Sequence, residues 1–153
     1  MAGSPFRDAW RSRLATHRTA AGYTTTFPIR DVDNTGTALG VPSDAEIGFL
    51  VIEFQGGAPD VQLTFGAPGA NLHDERGQVA LRVITRLRAG QTIRDAAEAI
   101  AEAMRTRFRM DRFATSDART IRVTGVSPID DGFDEGGTYI VSVLIGYQTY
   151  NVG

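Results

Sequence analysis

The run from Thr138 to Tyr150 constrains the fold more than any other part of the chain. Tyr139, Val141, Val143, Ile145 and Tyr147 alternate with Ile140, Ser142, Leu144, Gly146 and Gln148, a period of two sustained over thirteen positions. A strand of that length has a full row of backbone donors and acceptors to satisfy, so it demands long strand partners elsewhere in the chain. The best candidate is the segment after Gly77. There Val79, Leu81, Val83, Thr85 and Leu87 occupy one face, and Arg82, Arg86 and Arg88 the other, the pattern of one buried and one wet face.

Two helices are predicted around these strands. Ser4 followed by Pro5 is a start signal, and Phe6, Trp10, Leu14, His17 and Ala21 recur at steps of three and four up to Gly22. Thr92 with Asp95 resembles a capping box, and Ile93, Ala97, Ile100, Met104 and Phe108 form the stripe of a second helix. Its opposite face carries Arg94, Glu98, Glu102, Arg105 and Arg109, with Arg94 and Glu98 spaced to pair in water.

The remaining elements are shorter. Tyr23 to Asp44 reads as an irregular connection, with Phe27-Pro28-Ile29 as an edge strand. Ala45 to Phe54 is a strand apolar on both faces. Gln55 to Asp60 is then a turn joining it in a hairpin to the alternating Val61, Leu63 and Phe65. Gly66 to Gly77 is expected to be a partner-facing loop with His73, Asp74, Glu75 and Arg76 at its tip. Arg119 to Val126 is a further strand, separated from the last by the turn-rich Ser127 to Gly137.

Strands that arrive in neighbouring groups, not one by one between helices, predict an α+β fold. The expected form is a single domain over 1–153, a mostly antiparallel sheet with two helices packed on one face. Its 153 residues, 42% apolar and 22% charged, are enough to bury a core without disulfides. Leu50, Ile52 and Phe54, with Ile140 and Leu144, are apolar residues in excess of one sheet face. They point to a covered second face or to a contact between subunits.

The function classes narrow by exclusion. A net charge of -2 supplies no field to hold nucleic acid or an anionic membrane. No apolar run approaches a membrane span, and Met1 to Asp8 lacks the apolar region of a leader, so a soluble, unprocessed protein is expected. There is no cysteine for a thiolate site and no lysine for a phosphate loop; all 16 basic residues are arginine. His17 falls on an apolar helix stripe, where a packed histidine is the commoner case. His73-Asp74-Glu75 offers nitrogen and oxygen donors, but adjacent residues of an extended segment point apart. Asp130-Asp131-Gly132-Phe133-Asp134-Glu135-Gly136 lacks the alternating acids of a calcium loop and reads as a polar hairpin loop. No catalytic, cofactor or metal site is therefore assigned, and the expectation is a protein that is not an enzyme.

A short N-terminal helix, Phe27-Pro28-Ile29, a strand opening onto a long loop, the strand Gln78 to Arg88, the alanine-rich helix Ile93 to Phe108 and the closing EGGTYIVSVLIGYQTY together resemble the phage tail terminator family, including the versions in gene transfer agents. The resemblance rests on element order and on Gly137-x-Tyr139 leading into the final strand. It implies a hexameric ring that caps the tail tube, ends its polymerisation and joins the head, with no catalysis. The implied partners are other copies of the chain, the tail tube protein and a head-closure or connector protein, with DNA passing through the channel unread. The implied location is the host cytoplasm during assembly and then the tail of the particle. Arg82, Arg86 and Arg88, with Glu98 and Glu102, are the candidates for ion pairs between subunits. The polar segment Thr24 to Asp44 departs from the pattern and leaves open a tail tube or other head-tail connector component. A monomeric adaptor gripping a partner through Gly66 to Gly77 is the reading from a different class, and a small hydrolase or transferase using His73 or the Asp130-Asp131 loop ranks last.

Overall fold

The computed structural model describes residues 5–23, 27–30, 47–55, 61–86, 93–130, 132–135 and 137–152. The elements in chain order are α1 (Pro5–Ala20), β1 (Gly48–Phe54), β2 (Val61–Gln62), β3 (Leu72–Arg86), α2 (Ile93–Phe108), β4 (Arg112–Ala114), β5 (Thr120–Val126), β6 (Phe133–Glu135) and β7 (Thr138–Val152). They form an α+β fold around one antiparallel sheet with the path β1-β3-β7-β5-β4, to which β2 adds on β3 and β6 on β7. The long final strand finds its partner in β3: all fifteen residues of each pair in unbroken register, from Leu72 opposite Val152 to Arg86 opposite Thr138.

Alternation divides the sheet into two faces. Val79, Leu81 and Val83 of β3, Tyr139, Val141, Val143 and Ile145 of β7, Leu50 and Ile52 of β1, and Ile121 and Val123 of β5 join one core with both helices. The predicted stripes supply the other side of that core: Trp10 and Leu14 from α1, and Ala97, Ile100, Met104 and Phe108 from α2. Both helices therefore lie on one face of the sheet. Trp10 is the centre of an aromatic group, with the rings of Phe6, Phe108, Phe113 and Tyr147 between 4.9 and 6.4 Å from it.

Several expectations need correcting. Leu50 and Ile52 face the helices, and the residues of β1 on the outer face are Phe49 and Val51, both fully buried. Arg30 lies over the Phe49 ring at 4.3 Å. The segment after α1 runs beside β1 as a parallel bridge from Ile29 to Leu50, closed by hydrogen bonds from Arg30 N to Leu50 O and from Leu50 N to Pro28 O. β1 and β2 are not a hairpin, because both pair with β3 and not with each other. The loop expected from Gly66 to Gly77 is shorter: the strand begins at Leu72, and the pairing potential of the long β7 extends it. Arg94 and Glu98 do not pair across α2. Arg94 instead meets Asp134 at 2.6 Å, and Glu98 accepts a 3.1 Å hydrogen bond from the Tyr139 hydroxyl. Leu87, Arg88, the Thr92 cap, Ser4 and most of Thr24 to Asp44 lie outside the described residues.

Candidate interaction surface

Beyond the start of α1, where Phe6 packs on Phe54 and Tyr147, β3 and β7 continue as a ribbon, and β2 with the chain that follows it folds along this ribbon as an arm. Val61 pairs with Asp74 and Gln62 with His73, and Leu63 N donates to Leu72 O at 2.7 Å. Thr64 closes the next step by accepting a 2.8 Å bond from Leu72 N. Asn71, 8% exposed, donates to the Gly66 and Ala67 carbonyls, and Gly69 takes the positive φ of 84° that the turn at the tip requires. The backbone of the arm is thus held by its own hydrogen bonds. Its apolar side chains are not covered: Val61 is 58%, Leu63 47% and Phe65 87% exposed.

Register places Asp74 and Arg76 on the outer face of the ribbon, because Val79, Leu81 and Val83 of the same strand turn to the helices. In the row through Arg76 stand Gln148, Arg122 and Arg112 on the successive strands β7, β5 and β4. Gln148 is buried within it. Arg122 donates to Gln148 Oε1 at 2.6 Å, Gln148 Nε2 donates to Asp74 Oδ1 at 2.9 Å, and Arg76 Nε reaches Asp74 Oδ2 at 3.1 Å. The Gln148 hydrogen bond, followed by Arg76, holds the Asp74 carboxyl below the usual carboxylate range. Three guanidiniums and one carboxylate thus form a cationic row, next to the exposed Val61 and Tyr150 that flank Asp74.

The expected tip residues are therefore strand residues. His73 and Glu75 face the helix side and Asp74 and Arg76 the outer side, so they do not converge, and no metal-holding group of three or more acids or histidines occurs among the described residues. Arg82 Nε lies 3.0 Å from Glu53 Oε2 on β1, an ion pair within the subunit that is too bent for a hydrogen bond. Arg86 is half-buried at the end of β3, and Arg88 is outside the described residues. Glu98 and Glu102 are exposed on α2, where Glu102 pairs with Arg105 at 3.1 Å. Strand pairing brings Arg76, Arg112 and Arg122 together from three separate strands, so no sequence spacing marked them as a set.

A second cluster was missed for the same reason. Asp111, in the turn between α2 and β4, receives Arg13 Nε at 2.8 Å and Nη2 at 2.7 Å, lies 2.8 Å from His17 Nε2, and accepts from Arg112 N at 2.9 Å. Burial raises the Asp111 carboxyl, but the Arg13 and His17 hydrogen bonds outweigh it and hold the group below its ordinary range. Burial lowers the His17 imidazole despite the opposing Asp111 hydrogen bond. The His17 ring also packs edge-on against Phe108 at 4.6 Å. The arrangement ties the middle of α1 to the turn that leads into the sheet edge, a clasp made of one carboxylate and two cation-forming side chains.

No protein-family model matches the sequence, and no curated protein does. The chain is similar to solved structures, among them one that superposes with a TM-score of 0.65 at 20% identity, covering 97% of this chain and 96% of that chain. The likeness spans nearly the whole chain and, at that identity, is one of fold. No helix among the described residues is long and apolar enough to cross a membrane.

Proposed function

We propose that this chain is a structural, ring-forming protein of the phage tail terminator kind, which caps a tail tube, ends its polymerisation and offers the surface that joins the head. The observation that carries the self-assembly in this reading is the arm. Its backbone is held by hydrogen bonds from Leu63, Leu72 and Asn71, yet Val61, Leu63 and Phe65 stand in water. A protein gains nothing in its own fold from holding such residues outward, whereas burying them against another subunit releases about 25 cal/mol per Å² of apolar surface. A ring built by head-to-tail contacts uses up its lateral surfaces and keeps two unlike end faces, which is what a cap that must refuse further stacking requires. The element order of the sequence supplies the tail terminator part of the reading. In it the partners are further copies of the chain, the tube protein and a head connector, DNA crosses the channel without readout, no catalysis enters, and the protein moves from the host cytoplasm into the particle tail.

Light scattering on the size-fractionated protein over a wide concentration range, with negative-stain imaging of any large species, tests this. A closed ring, or a monomer that closes on the ends of added tail tubes, is expected. An open filament, or a monomer at every concentration with and without tubes, overturns it.

A further inference from the structure

Independently of the ring reading, we propose that the free edge of β4 is a strand-addition site for an acidic segment of a partner protein, which pairs with Arg112 to Ala114 beside the flank of α1.

β4 ends the sheet on one side and is three residues long, with Phe113 half-buried between the exposed Arg112 and Ala114. The ladder to β5 decides which of its backbone groups are free. Val123 N donates to Asp111 O and Thr115 N to Arg119 O, so the odd-numbered residues of this stretch point their backbone groups at β5. Arg112 and Ala114 point theirs away from it. The Arg112 N–H is taken by Asp111 Oδ1 at 2.9 Å, which leaves the Arg112 carbonyl and both backbone groups of Ala114 without a hydrogen bond among the described residues. In a row, these groups are a template for one added strand.

The side chains select what is added. Arg112 stands directly opposite Arg122 in a pair not bridged by backbone hydrogen bonds, the closer of the two kinds of cross-strand pair, and like charges so placed repel. Arg122 donates to Gln148 Oε1 at 2.6 Å, whereas the Arg112 guanidinium meets no carboxylate among the described residues. A short edge strand carrying a charge is a common guard against pairing. Here the guard is a cation beside a second cation, so it refuses a cationic strand and favours one that sets a carboxylate next to Arg112.

The helix side of the edge sets the next position. Phe113 opens on a groove whose far wall is one side of α1, where Pro5, Ala9, Ser12 and Thr16 recur at steps of three and four. Trp10, at 4.9 Å, and Arg13, whose guanidinium carbon lies 5.9 Å away, hold the Phe113 ring in place. An aliphatic side chain laid on that ring fills the groove and leaves water. In either direction of pairing, the residue opposite Arg112 lies on the outer face and its neighbour in sequence lies over Phe113. The partner is therefore an extended segment in which acidic and aliphatic residues alternate.

The probe is a fluorescein-labelled, end-blocked peptide Thr-Val-Glu-Val-Glu-Val-Thr, titrated with the full chain and followed by anisotropy, with lysine in place of glutamate as the control. Saturable binding at least about tenfold tighter than that of the lysine peptide is expected, and Arg112→Glu should reverse the preference. Ala114→Pro removes only an outward N–H, at a position where an edge strand accepts proline, and should weaken the glutamate peptide at least about tenfold. Hydrogen exchange at the Ala114 amide, slowed by the glutamate peptide, reads the same bond in the unaltered chain. Equal affinity for the two peptides overturns the proposal. So does binding that Arg112→Glu weakens while the Ala114 amide stays unprotected, since that is an ion pair without a strand. No binding of the glutamate peptide overturns it outright, and if Ala114→Pro then lowers the mass seen by light scattering, a second copy of the chain holds this edge instead.

Discussion

The two halves of the β3–β7 ladder are made by the same strands in the same register, yet they do different work. In the half from Val79 to Thr85 the inward residues are buried beneath two helices, and in the half from Leu72 to Gln78 the same side carries His73, Glu75 and Gly77 on β3 and Tyr147 and Thr149 on β7, at and beyond the start of the helix layer. The first half holds the fold through apolar burial and the second holds an ordered surface through hydrogen bonds among Asp74, Gln148 and Arg122. The lesson is that backbone pairing carries a strand well past the core that justifies it, and what lies past the core is free to meet a partner.

Substitutions in the two halves should separate cleanly. Trp10→Ala empties the centre of the aromatic group and is expected to cost about 3–5 kcal/mol of folding free energy, measured by urea unfolding. A loss below about 1 kcal/mol would mean that the helices are not held to the sheet as described. Asp111→Ala removes the acceptor shared by Arg13 and His17 and should cost about 1–3 kcal/mol. Gly77→Ala places a methyl carbon 2.6 Å from the Tyr147 hydroxyl, and because that ring also packs on Phe6 at 5.1 Å it cannot swing away without loss. About 1–2 kcal/mol of destabilisation is expected, readable as a lowered Tm.

The clasp also predicts a pH dependence. The folded pKa of His17 is below its ordinary value of 6.5, so between the two the unfolded chain binds the extra proton and the folded one does not. The stability that His17 contributes is full above 6.5 and is lost as pH falls through that interval to the folded pKa. Asp111 acts with the same sign at lower pH, below its ordinary 3.8. In His17→Gln the mildly acidic part of the slope should disappear from a plot of unfolding free energy against pH, while the strongly acidic part stays. An unchanged profile would remove His17 from the account. The smallest effect on folding is expected at the arm: Phe65→Ser should shift stability by no more than about 0.5 kcal/mol while reducing assembly, and a larger loss of stability would mean that the arm belongs to the core after all.

Much of this was legible in the sequence. The stripes of α1 and α2, the final strand and the buried alternation of β3 all rest on local periodicity, and burial of one face in a single core enforces that periodicity residue by residue. The helix stripe was enough to mark His17 as a packed residue, and alternation was enough to separate His73 from Asp74. Other features were not local. The side of β1 that faces the helices could not be chosen from a segment apolar on both sides, and the phase went to Leu50 and Ile52. The start of β3 was misplaced because a polar, Gly-containing stretch reads as a loop unless its partner is known. Asp111, 94 residues from His17, and the row of Arg76, Gln148, Arg122 and Arg112 exist as sites only after pairing. The sequence by itself determined which residues must leave water and with what period. Only the tertiary structure decided which strands stand side by side, because hydrogen bonding between strands is indifferent to side-chain identity, and the register that buries the most apolar surface then carries distant polar residues into contact.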